Sequence, residues 1–215
     1  MLKKHKPDIL WYMSDPRFYE WLHAMEHEIR VKVPIVWYTI WDNYPPPKFN
    51  QKFYECNDLL IPISKVTDNI IKEVAPSVPR VRIPHTVDHD IFRKKWAENK
   101  VTGQALPIKE ALMPDKKDKF MVFFNSRNAR RKQSGTLIFW FKEFLDRIGH
   151  ENAFLLMHTD PKDPNGQDLD VILRDLELKD RQVLFSTEIL NPHQLADLYN
   201  AADVTACISD AEGYG

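Results

Sequence analysis

Four cations fall within six positions of the chain: Arg127, Arg130, Arg131 and Lys132. They follow an apolar run, 120–124, and precede a helical pattern over 137–148. Like charges this close repel one another unless they are solvated or face a polyanion. Arginine presents a planar fork that fits phosphate oxygens, and lysine a mobile point charge. A strand-to-helix turn adds the positive end of a helix, where anions are favoured. The combination suits a phosphate group, and a solvated basic loop has the same composition. A nucleic-acid site would call for a wider basic surface or interleaved aromatics, and neither accompanies the loop.

A second stretch closes the chain: Ser209-Asp210-Ala211-Glu212-Gly213-Tyr214-Gly215. It follows the apolar run 203–208, which reads as a buried parallel strand. Gly213 and Gly215 allow backbone N–H groups to approach a ligand. Glu212 can accept hydrogen bonds from sugar hydroxyls. A tight turn before a surface helix would use the same residues.

Other candidates carry less. His23 and His27 are four apart in a helical pattern, and His85 and His89 four apart in a loop. Zinc sites of that spacing need a third ligand and a carboxylate base in a recognisable motif, which are not evident. His158 ends a strand pattern and could reach a cleft. Residues 160–170 look like a calcium loop until the register is set. With Asn165-Gly166 at the fifth and sixth positions, Pro161 and Ile172 take the first and twelfth, and neither can ligate through its side chain. No Ser-His-Asp or Cys-His arrangement has supporting context, and no Walker loop or dinucleotide fingerprint is present.

The elements that would position these residues alternate. Strands are expected over 8–13, 34–40, 59–63 and 80–83, with helices over 17–29, 49–57 and 65–74. Phe18, Trp21, Leu22, Met25 and Ile29 mark the buried face of the first helix. Ser64 reads as an N-cap, with Val66, Ile70, Ile71 and Val74 on one face of the helix behind it. Periodicity fades over 84–118, which reads as a connection with one short helix near Trp96. It resumes with strands over 120–124, 153–157, 182–185 and 203–208. Helices over 137–148, 169–178 and 192–202 lie between them. The 137–148 helix is apolar around much of its circumference and is expected to be well buried. Asn191-Pro192-His193-Gln194 is a capping box with proline at the first helical position. Strand–helix alternation implies parallel strands joined by right-handed crossovers, with ligands beyond the carboxyl ends of the strands. Asp42 and Asn43 fall at such an end.

The 43% hydrophobic content of 215 residues supports one large or two modest globular domains. A net charge of −1 gives no global pull toward nucleic acid or an acidic membrane. The two cysteines, Cys56 at an expected helix and Cys207 in an expected buried strand, form no disulfide framework or metal spacing. A reducing, cytoplasmic setting is the expectation. No run of 18 apolar residues suggests a membrane span.

Taken together, the pieces resemble a known family. Arg127 is followed five residues later by Lys132, then by helix, strand, helix and strand. Leu195-Ala196-Asp197-Leu198-Tyr199-Asn200-Ala201-Ala202-Asp203-Val204 comes next, and then Ser209-x-x-Glu212-Gly213-Tyr214-Gly215. This order and spacing resembles the donor-binding domain of retaining GT-B glycosyltransferases of group 1, family four, the glycogen-synthase and sucrose-synthase-like enzymes. Residues 83–92 are similar to that family's interdomain junction. Ile61-Pro62-Ile63-Ser64 is similar to the end of its acceptor-side domain.

The resemblance implies an α/β chain of two Rossmann-like domains facing across a cleft, both truncated. An acceptor-side domain would span 1–90, a linker 91–118 and a nucleotide-sugar-binding domain 119–215. It implies transfer of a sugar from a nucleoside-diphosphate sugar to a carbohydrate or other hydroxyl acceptor, with retention. Arg127 and Lys132 would neutralise the diphosphate leaving group, with Arg131 as neighbour. Glu212 matches the first glutamate of the family's paired pattern, and Gly213, Tyr214 and Gly215 would offer backbone N–H groups. Asp42 is the candidate facing the reacting centre. Fixed cations stabilise charge on a departing diphosphate, so no metal or cofactor is expected. The second glutamate of the pattern would fall after Gly215, and the family's glycine-rich acceptor loop before Met1, so the chain is expected to be an internal fragment. A GT-B epimerase or phosphorylase, or a non-catalytic nucleotide- or glycan-binding module, remains the alternative.

Overall fold

The computed structural model describes residues 2–41, 43–179 and 181–214. Contacts divide the chain into two compact units. One comprises the residues up to Thr86 together with those from Ala211, the other Val87–Asp210.

The first unit contains α1 (Leu2–His5), β1 (Leu10–Met13), α2 (Glu20–Ala24), α3 (Glu26–Arg30), β2 (Ile35–Thr39), α4 (Gln51–Glu55), β3 (Leu59–Pro62) and α5 (Lys65–Val74). The strands form a parallel sheet in the order β1-β2-β3. Ile35, Trp37, Leu60, Leu22, Ile70 and Ile71 make its core at 0–1% exposure. Trp37 stacks between Tyr12 and Tyr54, with centroids 5.6 and 5.2 Å away. The Ser64 hydroxyl caps α5 by accepting from the Thr67 N–H at 3.1 Å. Ile70, Ile71 and Val74 are buried as expected, whereas Val66 is exposed and Thr67 takes the buried place.

Two expectations fail locally. The helix over 17–29 is broken into a 3-10 turn at Pro16–Tyr19, then α2 and α3, with Met25 off helical geometry between them. Each break resets the helical phase. Phe18 and Trp21 are therefore 74% and 62% exposed, while His23 is buried beside Leu22. Residues 80–83 do not form a strand, only a single parallel bridge from Arg80 to Leu60. Val81 and Ile83 donate to the carbonyls of Leu60 and Pro62. Pro62 has no N–H to return, so the ladder cannot close.

The second unit opens with an antiparallel hairpin, β4 (Ala97–Glu98) with β5 (Ala105–Leu106), and α6 (Ile108–Leu112). Residues 91–118 are thus structured, with a strand rather than a helix next to Trp96. There follow β6 (Phe120–Asn125), α7 (Ser134–Ile148), β7 (Ala153–His158), α8 (Leu169–Asp175), β8 (Val183–Ser186), α9 (Pro192–Ala201) and β9 (Val204–Thr205). The sheet is parallel in the order β8-β7-β6-β9. Side-chain alternation sorts its two layers. Val122, Phe124, Leu155 and Met157 pack on α7 and α8, and Met121, Phe123, Phe154 and Leu156 on α6 and α9.

The capping box on α9 is present in both halves, Asn191 to Gln194 and back. Helix α7 is amphipathic rather than buried all round: Leu137, Ile138, Phe141 and Leu145 face the sheet, while Phe139 and Trp140 are 48% and 52% exposed. It covers one face of the sheet, so its outer side meets solvent. The closing strand is two residues long, and both Val204 and Thr205 are exposed. It lies at the sheet edge, and Asp203 punctuates its start by accepting from Met121 N and Lys109 Nζ. Cys207 is exposed for the same reason.

Candidate functional site

Strand order reverses at β6. The chain leaves it to one side for β7 and β8, and returns on the other side as β9. At such a switch point the connections after neighbouring strands diverge and open a crevice at their carboxyl ends. The basic loop starts at that end of β6. Asn125 closes the strand, residues Arg130–Lys132 form a 3-10 turn, and Gln133 adopts a left-handed conformation (φ +59°) before α7 begins. Arg127, Arg130 and Arg131 are exposed, and Lys132 is half-buried. Arg127, Arg131 and Lys132 thus lie in the one loop that leads into the amino end of a fifteen-residue helix.

The stretch behind β9 docks on this loop. Asp210 N–H donates to the Arg131 carbonyl at 2.8 Å. The Asp210 carboxylate accepts from Gln133 Nε2 at 2.8 and 3.0 Å. The connection behind β7 docks from the other side. Arg127 Nε and Nη2 donate to the two oxygens of Asp163. Asn128, 1% exposed, donates to the Gln167 carbonyl at 2.7 Å. Gln167 Oε1 accepts from Gly135 N–H at 2.9 Å, so it caps α7 from a distance in sequence. Gly166 lies so close that a Cβ there would sit 1.9 Å from the Asn128 carbonyl oxygen. Arg127 holds the Asp163 carboxyl well below the usual carboxylate range, and Asn165 adds to the effect. The same pairing raises Arg127.

A cleft of about 310 Å³ opens at the ends of β7 and β8, lined by His158, Thr159, Asp160, Ser186, Glu188 and Leu190 among others. His158 is in register with Asn125 on one side and Ser186 on the other. Its Nδ1 lies 2.9 Å from the Ser186 hydroxyl. The buried Thr159 hydroxyl has no partner among the described residues.

Glu212, Gly213 and Tyr214 group with the first unit. The Tyr214 ring meets His85 edge-on at 5.9 Å, and His85 stacks on Tyr38 at 5.5 Å. Tyr38 OH donates to the Ile83 carbonyl at 2.9 Å. Gly213 abuts Ile40, whose Cγ2 would lie 2.3 Å from an added Cβ. Asp42 and Gly215 lie outside the described residues. The paired histidines diverge: His23 is buried against Tyr12 while His27 is exposed. Among the described residues no group of three His, Cys, Asp or Glu is placed to hold a metal ion.

No family model matches the chain, and no curated protein matches it. Solved structures match along nearly all of it. OtsA in its apo form shares 13% identity over 97% of this chain and 54% of its own, with a TM-score of 0.69. Anabaena HepE, in complex with UDP-glucose, shares 14% over 96% and 54%, with a TM-score of 0.68. A glycosyltransferase from Rickettsia africae shares 17% over 97% and 53%, with a TM-score of 0.65. The chain has the GT-B fold. It spans about half the length of these GT-B structures. Among the described residues no helix is long and apolar enough to cross a membrane.

The basic loop is legible in the sequence, and the residues that hold it in place are not. Asp163, Asn128 and Gln167 gave no motif. The one signal was an acidic, turn-rich loop behind one strand and a basic loop behind another, and these meet only where the two strands are neighbours in the sheet.

Proposed function

We propose that this protein transfers a sugar from a nucleoside-diphosphate sugar to a hydroxyl acceptor, with retention of configuration at the sugar. The observation that carries the proposal is the basic loop at the switch point of a GT-B-fold sheet, a run of cationic residues between the carboxyl end of β6 and the amino end of α7. In this reading Arg127 and Lys132 bind the donor diphosphate, with Arg131 beside them. Charge grows on the phosphate oxygens as the sugar departs, and cations already fixed in place stabilise it with little reorganisation. The cleft at the ends of β7 and β8 accommodates the nucleoside. In this reading Glu212 takes the donor sugar, Gly213, Tyr214 and Gly215 offer it backbone N–H groups, and Asp42 serves the acceptor side. The ion pair between Arg127 and Asp163 does not oppose this, because a guanidinium has five N–H groups and a bidentate carboxylate occupies two.

HepE was solved with UDP-glucose, so UDP is the first nucleotide to test. Calorimetric titration of the folded chain with UDP and with GDP is expected to give a dissociation constant in the micromolar-to-millimolar range for one of them. Lys132→Ala should weaken it about tenfold or more, as expected on removing a charged hydrogen-bond donor. Donor turnover lost on Glu212→Ala, with nucleotide binding retained, would separate transferase from binding module. A folded sample that ignores both nucleotides but binds single-stranded RNA with steep salt dependence contradicts the proposal.

A further inference from the structure

The loop behind β7 stands out in the sequence only as a failed calcium loop, and the proposed reaction gives its Asp163 no role. Its structure is that of a brace. Asp163 and Arg127 face each other with inverse exposure: the carboxylate side chain is 9% exposed, the arginine side chain 64%. The acid is therefore the fixed partner and the base the one reaching outward. Both carboxylate oxygens are engaged, Oδ2 by Arg127 Nε and Oδ1 by Arg127 Nη2 at 3.1 Å. Oδ1 also accepts from the Asn165 backbone at 2.9 Å and from its side chain at 3.1 Å. The loop cannot easily drift from the basic loop, because Asn128 and Gln167 lock the two together and Gly166 lies against the Asn128 backbone. An exposed arginine normally loses much rotamer freedom when it binds an anion. Here one edge of the guanidinium is already held, and the N–H groups not directed at Asp163 lie on its other edge.

We propose that Asp163 is a positioning residue for phosphate binding: it clamps the Nε edge of Arg127 and thereby presents the outer edge of the guanidinium to the diphosphate. The inference rests on the reading of the basic loop as the donor-diphosphate site. An ordinary surface ion pair would contribute little to any ligand. This pair differs in being bidentate, with a nearly buried acid that other donors hold in place.

A double-mutant cycle on the full chain, read by calorimetric titration with UDP, tests it. Asp163→Ala is expected to weaken UDP about tenfold, and Asp163→Asn, which keeps the shape and one acceptor, to recover part of the loss. In an Arg127→Ala background the same Asp163 substitutions should change affinity by less than about twofold, because there is no longer a side chain to position. Circular dichroism on each variant identifies any that fails to fold, and the asparagine variant then carries the cycle. Unchanged or tighter UDP binding by Asp163→Ala overturns the inference, as does a loss that persists in full without Arg127. Those outcomes leave the functional reading standing. Absence of UDP and GDP binding by the folded wild-type chain removes the functional reading and this inference with it.

Discussion

Arg127 and Lys132 share a loop but not an environment. Arg127 reaches outward from a fixed carboxylate, whereas Lys132 sits half-buried in the 3-10 turn that leads into α7. The glycine opposite them is as constrained as any charged residue. A methyl group on Gly166 would meet the Asn128 carbonyl at 1.9 Å and part of its side chain at 2.5 Å. Because the nearest obstacle is backbone, the two loops must separate. Gly166→Ala is expected to lower the unfolding free energy by about 1–3 kcal/mol, the usual scale for overpacking. Urea denaturation reads it, and an unchanged midpoint would show that the loops are not locked as described. His23 sets a second test. Burial pulls its pKa below the ordinary histidine value, with Glu26 opposing the shift. The folded state therefore resists the proton that the unfolded state accepts. The stability this gives is complete above the unfolded pKa of about 6.5 and is lost as pH falls through that value toward the folded one. Wild-type protein should lose more stability between neutral and mildly acid pH than His23→Gln, whose amide can still bond Tyr12 but does not titrate. Parallel pH profiles for the two would count against it.

Among the elements, the helices were most legible where a side chain fixes their start. Ser64 and the Asn191–Gln194 box were readable because capping needs a specific residue at a specific offset. Ser64→Ala and Asn191→Ala should each cost about 1 kcal/mol, measurable as a lowered denaturation midpoint. Where helices failed the reading, tertiary context had overridden periodicity. The apolar residues at 18, 21 and 25 fit one helical face, but the breaks at Pro16–Tyr19 and Met25 turn that face away from the core. Trp21 and Met25 instead line a hollow of about 660 Å³ at the amino end of β1. Strands were harder, because an apolar run states that a segment is extended and not which neighbour lies beside it. Residues 203–208 look like a buried strand, yet only Val204–Thr205 pair and they do so at an edge. The basic loop was legible by position alone, between a strand and a helix. Its brace was not, since adjacency of the loops behind β6 and β7 depends on strand order, which no local pattern encodes.

At the scale of the whole molecule, the tandem α/β pattern was readable and the assignment of residues to units less so. Glu212, Gly213 and Tyr214 read in sequence as the end of the second half, and by contacts they belong with the first, beside His85 and Ile40. The short linear distance from β9 carries no information on which neighbours a glycine-containing turn finds. Ligand binding supplies a global prediction. A nucleotide that binds only the folded chain stabilises it by about 2.7 kcal/mol at a hundred times its dissociation constant. With the site weakened tenfold in Lys132→Ala, the same UDP concentration stabilises by only about 1.4 kcal/mol, so the UDP-dependent rise in melting temperature should fall to about half or less, and an equal rise in both proteins would place the nucleotide elsewhere. The most direct test of the central claim is an amide-resolved NMR titration of the chain with UDP. The account predicts that the perturbed resonances cluster in residues 125–135 and at the ends of β7 and β8. Perturbations confined to other regions, such as the hollow beside α2 and α3, or none at saturating nucleotide, would contradict it.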